Sequence, residues 1–164
     1  GAPRAGVLAR ARVGGRVVAD YSDTPLARKL GMRDGHVVYL VGAPAGFLEL
    51  LEPLPEVTVR KRLSGPVDVA IAFTTTKEQL TSAFARLGEV LTPSGGLWIA
   101  WPKRSSRMVT ELDFSTVQRS GLDARLVDNK SCSIDEDWQA LRFVRRLRDR
   151  PRPPKGRSGD TPGS

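Results

Sequence analysis

The sequence is poor in the residues that carry most metal and nucleophilic chemistry. It has one cysteine, Cys132, and one histidine, His36. A single thiol excludes an intrachain disulfide framework and any multi-cysteine zinc site. A single imidazole excludes a histidine-based metal cluster and argues against a His-centred catalytic triad. No metal is therefore expected. No apolar run approaches the roughly 18–20 residues of a transmembrane helix. The arginine-bearing first 20 residues also lack the apolar core of a signal peptide. These absences point to a cytoplasmic protein with no membrane partner.

What is present is an ordinary globular balance. Of 164 residues, 40% are hydrophobic and 27% charged, which fits one domain with tails. The net charge of +8 suggests nucleic acid until it is located. Arg4, Arg10, Arg12 and Arg16 against Asp20 give residues 1–20 a charge of +3. Arg145, Arg146, Arg148, Arg150, Arg152, Lys155 and Arg157 against Asp149 and Asp160 give residues 144–164 a charge of +5. The stretch between is neutral, so nucleic acid is expected only through the tails. The basic run 145–157 holds no aromatic residue for base stacking, and a solvated tail is its plainer reading. Residues 1–18 (rich in Gly, Ala and Arg) and 149–164 (rich in Pro, Gly and Arg) are expected to be disordered extensions of a folded domain over 19–148.

Within that domain, Thr24-Pro25 reads as a helix start with Thr24 as cap and Gly31 as stop. His36 to Val41 is a continuous apolar run, as in a strand buried on both faces. Gly42-Ala43-Pro44-Ala45-Gly46 is a tight turn before a short helix from Phe47 to Leu51. Val57 to Arg60 and Val67 to Phe73 read as strands. Thr76-Lys77-Glu78-Gln79 fits a capping box, and Leu80, Phe84, Leu87 and Leu91 share the face of the helix it starts. Thr92 to Gly96 breaks that helix. Leu97 to Trp101 is a strand closed by Pro102, and Phe114 to Arg119 is a helix ending at Gly121. Ala124 to Val127 and Ala140 to Arg145 are the last strands. The order α-β-α-β-β-α-β-α-β-β predicts a parallel sheet with right-handed crossovers. The final strands lack a helix between them and are expected to pair antiparallel.

Two segments resemble the class I methyltransferases. Val37-Val-Tyr-Leu-Val-Gly-Ala-Pro-Ala-Gly46 stands where that family has its glycine-rich loop. Val67 to Phe73, running on through Leu91-Thr-Pro-Ser-Gly-Gly-Leu-Trp-Ile-Ala100, is similar to its fourth strand, the following helix, and the L-x-P-G-G turn into its fifth strand. The resemblance covers residues 36–101. It implies an α/β, three-layer Rossmann-like fold: a truncated class I methyltransferase-type sheet, mostly parallel with a C-terminal antiparallel strand. At finer grain a second set of features resembles a family of small proteins from high-GC bacteria defined only as a domain of unknown function. These are Tyr21-Ser-x-Thr-Pro-Leu26, Gly42-Ala-Pro-x-Gly-Phe47, Gly95-Gly-Leu-Trp98, Trp101-Pro-Lys103, Cys132, and Asp137-Trp138 before Leu141-Arg-Phe-Val144. That likeness spans residues 21–146 and implies a fold with no established activity.

The methyltransferase pattern is incomplete in three places. The family's loop is G-x-G-x-G, because its backbone must approach the methionine part of S-adenosylmethionine closely. Here Ala43 and Pro44 stiffen the loop, and Pro44 lacks a donor. The family carries an acid at the end of its second strand for the ribose hydroxyls. Here that place reads Val57-Thr-Val-Arg60-Lys61-Arg62, better suited to a phosphate. Little room is left for a third strand between Arg62 and Val67. S-adenosylmethionine is thus admitted as a cofactor by the resemblance and disfavoured by these departures.

In doubly wound sheets, ligands sit beyond the C-terminal strand ends. The candidate ligand-binding residues there are Gly42, Ala43, Pro44, Gly46, Thr74, Thr75, Trp101 and Lys103. Each also has a purely structural reading. Gly42 to Gly46 make a strand-to-helix turn, Thr76 caps a helix, and Trp101 covers a sheet edge beside a surface lysine. In the functional reading Trp101 stacks on a ring, and Lys103 pairs an anion or donates a proton. Arg60 and Arg62, with Lys61, are either an anion site or a solvated strand end. Cys132, near Lys130, is either an activated thiolate or a packed small hydrophobe. His36 precedes the first strand and offers it no base, and no catalytic residue is assigned.

Three functions follow. The first is a non-catalytic binding or interaction domain with a protein or small-molecule partner, favoured by the altered loop and the absent catalytic constellation. The second is a divergent methyltransferase-like enzyme using the cleft of Gly42, Thr74, Trp101 and Lys103. The third is a nucleic-acid accessory protein acting through its tails. The chain is expected to be a monomer, or a homodimer in which a second copy covers the edge of an incomplete sheet.

Overall fold

The structure, a computed structural model, describes residues 24–146. The expected extensions 1–18 and 149–164 lie outside the described residues. The elements are α1 (Leu26–Lys29), β1 (Val37–Val41), α2 (Phe47–Leu50), β2 (Thr58–Arg60), β3 (Val67–Phe73), α3 (Lys77–Leu87), β4 (Leu91–Pro102), α4 (Phe114–Asp123), β5 (Leu126–Ser133) and β6 (Trp138–Arg145). Their order is the one expected from the apolar runs and turn residues.

The six strands of the described residues lie in one sheet, ordered β2-β1-β3-β4-β6-β5. The first four are parallel. β6 runs antiparallel to both β4 and β5. The parallel half has the doubly wound order without its outermost strand, and the order reverses between β1 and β3. A parallel crossover ordinarily needs a dozen or more residues, yet only residues 61–66 join β2 to β3. The crossover fits because β2 has three residues, so the chain returns only about 10 Å along the sheet. Leu63 in this crossover packs on the α3 side of the sheet, where a longer crossover would lay a helix.

Alternation along the strands divides the core in two. Tyr39, Ala70, Ala72, Leu97, Ile99 and Trp101 face α3 and α4. Val38, Val69, Ile71, Phe73, Trp98 and Ala100 face α1 and α2. Trp98 Nε1 donates to the Leu30 carbonyl at 2.9 Å, pinning the end of α1 to the sheet. No helix among the described residues is long and apolar enough to cross a membrane.

Several boundaries differ from the sequence reading. Pro25, not Thr24, is the N-cap of α1, and no side chain caps that helix. In β1 only Val38 and Tyr39 are buried, because the edge beside three-residue β2 leaves the other positions half covered. β4 begins at Leu91, and its register with β3 breaks between Leu91 and Gly96, so Thr92 to Gly95 bulge out within the strand. Gly121 lies inside α4 rather than at its end. It is glycine for space: an added Cβ would stand 2.2 Å from Phe143 Cε1. β5 and β6 are longer than expected. The exposed middle of β5 reads as polar, and a register shift between Asp128 and Lys130 masks its alternation. Arg145 ends β6, as the strand reading of Ala140 to Arg145 has it, and does not open the solvated tail. Its guanidinium donates to the carbonyls of Leu91 (2.7 Å), Glu89 (3.2 Å), Thr92 and Gly88 (3.3 Å each), closing the turn after α3.

Candidate functional site

A cavity of about 350 Å³ lies at the C-terminal ends of β1 and β3, where the strand order reverses. Its floor is Val41, Gly42, Ala72, Phe73 and Thr74, and one wall is α3. The short β2–β3 crossover lays no helix opposite that wall. The position is the one at which open α/β sheets take ligands.

The turn that borders it follows from its residues. Gly42 has φ +67°, and an added Cβ would stand 3.1 Å from the Phe73 carbonyl, so conformation and space both require glycine. Gly46, at φ +86°, precedes α2. Phe47 N–H donates to the Pro44 carbonyl at 3.1 Å and tightens the turn. The Phe47 ring packs edge-on against Phe73, which meets Trp138 in the same way, with centroids 4.9 and 5.0 Å apart. These contacts hold the loop onto the sheet on the face away from the cavity.

The three threonines after β3 are largely engaged. Thr74 is 2% exposed, and both its backbone N–H and its hydroxyl donate to the Ala100 carbonyl, at 2.8 and 2.9 Å. Thr75 N–H donates to Gln79 Oε1 at 2.8 Å. The Thr75 carbonyl accepts from Glu111 N–H and the Thr110 hydroxyl. Thr76 completes the capping box with Gln79. Glu111 Oε1 accepts from Lys77 N–H at 2.8 Å, so protein groups already satisfy the first turn of α3.

The structure thus brings Gly42 and Thr74 to one cavity and leaves the other candidates apart. Ala43, Pro44 and Gly46 shape the turn without lining the cavity, and Thr75 braces the α3 cap. Trp101 is in the core at 3% exposure, with the half-exposed Phe114 edge-on to its ring, so no ring face is open for stacking. Lys103 lies past the end of β4 and donates from Nζ to Ser133 Oγ at 2.6 Å. Arg60 hydrogen-bonds to the Ser64 carbonyl across the crossover turn, and Lys61 and Arg62 are exposed. None of these three borders the cavity.

What sequence reasoning missed is the polar wall. Glu78, Ser82 and Arg86 line the cavity. Their spacing of four places them along one stripe of α3, beside the apolar stripe of Leu80, Phe84 and Leu87. That spacing was the available signal. Glu78 is the one carboxylate of the lining. It stands on α3, whereas the end of β2 carries Arg60. The acid that the methyltransferase pattern puts at the end of β2 for a ribose diol is therefore replaced by Arg60, whose guanidinium turns to the Ser64 carbonyl outside the cavity.

Cys132 lies on the opposite face, packed against the α1–α2 core. Burial pushes its thiol above the ordinary value of 9.0, although Lys29, Lys130 and Lys103 pull the other way. The neighbouring lysines are present, but desolvation outweighs them.

Comparison with solved structures places this architecture. A SAM-dependent methyltransferase from Aquifex aeolicus matches with TM-score 0.55 at 16% identity, covering 71% of this chain and 85% of its own. Magnesium protoporphyrin IX methyltransferase from Synechocystis PCC 6803, solved with bound SAH, matches with TM-score 0.50 at 11% identity, covering 69% and 75%. Fibrillarin from Aeropyrum pernix, solved with natively bound S-adenosyl-L-methionine, matches with TM-score 0.50 at 14% identity, covering 68% and 67%. The fold is methyltransferase-like. At these identities the likeness is one of fold alone. No protein-family model and no curated protein matches the chain.

Proposed function

We propose that the chain is a non-catalytic binding domain on a methyltransferase-like sheet, with the strand-end cavity as its ligand site. The cavity carries the reading. It lies at the switch point and, at about 350 Å³, is near the lower end of the roughly 300–1,000 Å³ usual for ligand pockets. Its polar side chains are the Glu78, Ser82 and Arg86 stripe, with Thr74 and Gln79 held by the Ala100 carbonyl and the α3 cap. A compact ligand with both a donor and an acceptor suits that stripe. Membership of the small high-GC bacterial family, a cytoplasmic location, a protein or small-molecule partner, and a monomer or homodimer complete the reading. Contact with nucleic acid is assigned to the tails.

A second reading is a divergent S-adenosylmethionine-dependent enzyme. It is favoured by the position of the cavity and by the likeness to proteins solved with S-adenosylmethionine or SAH bound. Calorimetric titration of the purified chain with S-adenosylmethionine and S-adenosylhomocysteine separates the two, with native mass spectrometry for a co-purified ligand. The expected result is no saturable binding of either. Micromolar binding that Glu78→Arg abolishes would replace the first reading with the second.

A further inference from the structure

At the opposite end of the sheet, a second cavity gathers cations that are scattered in the sequence. It has a volume of about 380 Å³ and is lined by Lys29, Arg33, His36, Lys130, Arg142 and Asp68, among others. They come from the end of α1, the connection into β1, the middles of β5 and β6, and the start of β3. Four permanent cations and one carboxylate thus line the cavity, and of the four Arg142 is already held, donating to the Ser94 carbonyl at 3.3 Å and to Asn129 Oδ1 at 3.5 Å. Asp68 is already committed: Oδ2 accepts from Val37 N–H at 2.8 Å, and Oδ1 accepts from the Thr92 hydroxyl at 3.0 Å. No carboxylate among the described residues pairs with Lys29, Arg33 or Lys130. Gathering like charges around a concave space raises its potential and favours an anion.

Two details fit a built site. His36 Nδ1 accepts from Arg33 N–H at 3.2 Å, which leaves the proton of a neutral imidazole on Nε2 as a donor. The chain also keeps glycine where Arg142 crosses β4. A Cβ on Gly96 would stand 2.3 Å from Arg142 Nε, so the missing side chain gives the guanidinium its place. The cavity shares Gly31, Arg33 and Lys130 with a larger one of about 840 Å³, which Pro25, Pro53, Leu54 and Pro55 line together with Arg28 and Asp34.

We propose that this end of the sheet binds a phosphorylated small molecule, with its phosphate among Lys29, Arg33, Lys130 and Arg142 and the rest of the molecule along the adjoining prolyl groove. A phosphate dianion matches both the number of cations and their mixed guanidinium and ammonium donors. Among the described residues no Phe, Tyr or Trp lines either cavity, so the broad ring platform on which single-stranded nucleic acids stack their bases is missing here. The site is independent of the strand-end cavity.

His36 is the only histidine, so its imidazole gives one NMR signal inside the cavity. The full chain is titrated with inorganic phosphate and with pyrophosphate at fixed pH, against chloride at matched ionic strength. A saturable movement of the His36 signal is expected, stronger with pyrophosphate. In Arg33→Glu/Lys130→Glu, both exposed positions, the affinity falls about a hundredfold, or roughly 2.7 kcal/mol. Gly96→Ala displaces the Arg142 guanidinium without changing charge and weakens binding about tenfold. An unmoved His36 signal, a movement that chloride reproduces, or unchanged affinity in the double variant would each overturn the proposal. So would a single-stranded oligonucleotide that moves His36 at lower concentration than pyrophosphate, since that result assigns the cavity to a nucleic-acid backbone.

Discussion

Gly121→Ala is the sharpest test of how α4 sits on the sheet. The added methyl would stand 2.2 Å from Phe143 Cε1 and 2.5 Å from Cδ1, where carbon pairs settle at about 3.5–4.0 Å. The ring must move by more than about 1 Å to restore that separation. It has little freedom to do so. Phe143 is fully buried, paired through its backbone with Leu97 and Asp128, and met edge-on by Phe84 with centroids 5.0 Å apart. Overpacking a core of this kind costs about 1–3 kcal/mol. Alanine recovers up to about 1 kcal/mol over glycine in a helix interior. A contact of 2.2 Å belongs in the upper half of the overpacking cost, about 2–3 kcal/mol, so the net expectation is a loss of about 1–2 kcal/mol, read as a lower midpoint in urea with an unchanged slope. Phe143→Leu removes the obstructing ring edge. In the double variant the two losses are therefore not additive, with coupling of about 1 kcal/mol. A Gly121→Ala protein as stable as the parent would refute the reasoning, because helix propensity would then be acting without a clash.

Other expectations are more local. Arg145→Ala frees four carbonyls in the turn after α3 and the start of β4 and costs about 1.5–3 kcal/mol in urea denaturation, with Arg145→Lys restoring only part; a neutral result would return Arg145 to the solvated tail. Asp113 caps α4, accepting from Thr116 N–H at 2.8 Å. Hydrogen bonds from Thr116, its backbone first, hold the Asp113 carboxyl below its ordinary 3.8. Its folded value is depressed, so its contribution is present above the ordinary value and fades as pH falls through the folded one. Asp113→Asn should flatten the acid limb of a stability-against-pH curve, and an unaltered limb would count against the cap. The raised Cys132 thiol should be alkylated more slowly in the native protein than in the urea-unfolded chain at mildly alkaline pH. Its stabilising contribution should fade above the ordinary value, where the unfolded chain gives up its proton first. Equal alkylation rates would place the thiol in solvent.

The order of elements was legible because each rests on a local signal. Val67 to Phe73 is an uninterrupted apolar run, the Thr76–Gln79 box is written in four adjacent residues, and the two C-terminal strands lack an intervening helix. Misjudged boundaries fall where tertiary packing overrides the local cue. Gly121 looks like a helix stop, but its smallness serves a ring arriving from β6. The candidate site was half legible. Gly42 and Thr74 are strand-end residues, as the fold class requires, while Trp101 belongs to the core because the chain past β4 and Phe114 cover it. The cationic cavity was invisible for a different reason. Residues 21–143 sum to neutrality, and only the fold sorts Lys29, Arg33, Lys130 and Arg142 to one place.

The two margins of the sheet bear on how the protein behaves when concentrated. An unpaired strand invites fibrillar growth in proportion to its length and flatness. On one side β2 offers three residues, too few to template a partner. On the other, β5 is longer, but the register shift beside Asp128 kinks it, and it carries an exposed Lys130 in its middle, the charge that natural sheets use against such growth. The lysine that helps to form the anion cavity thus also guards a margin. A substitution that neutralises Lys130 to abolish ligand binding should raise the tendency to aggregate as well.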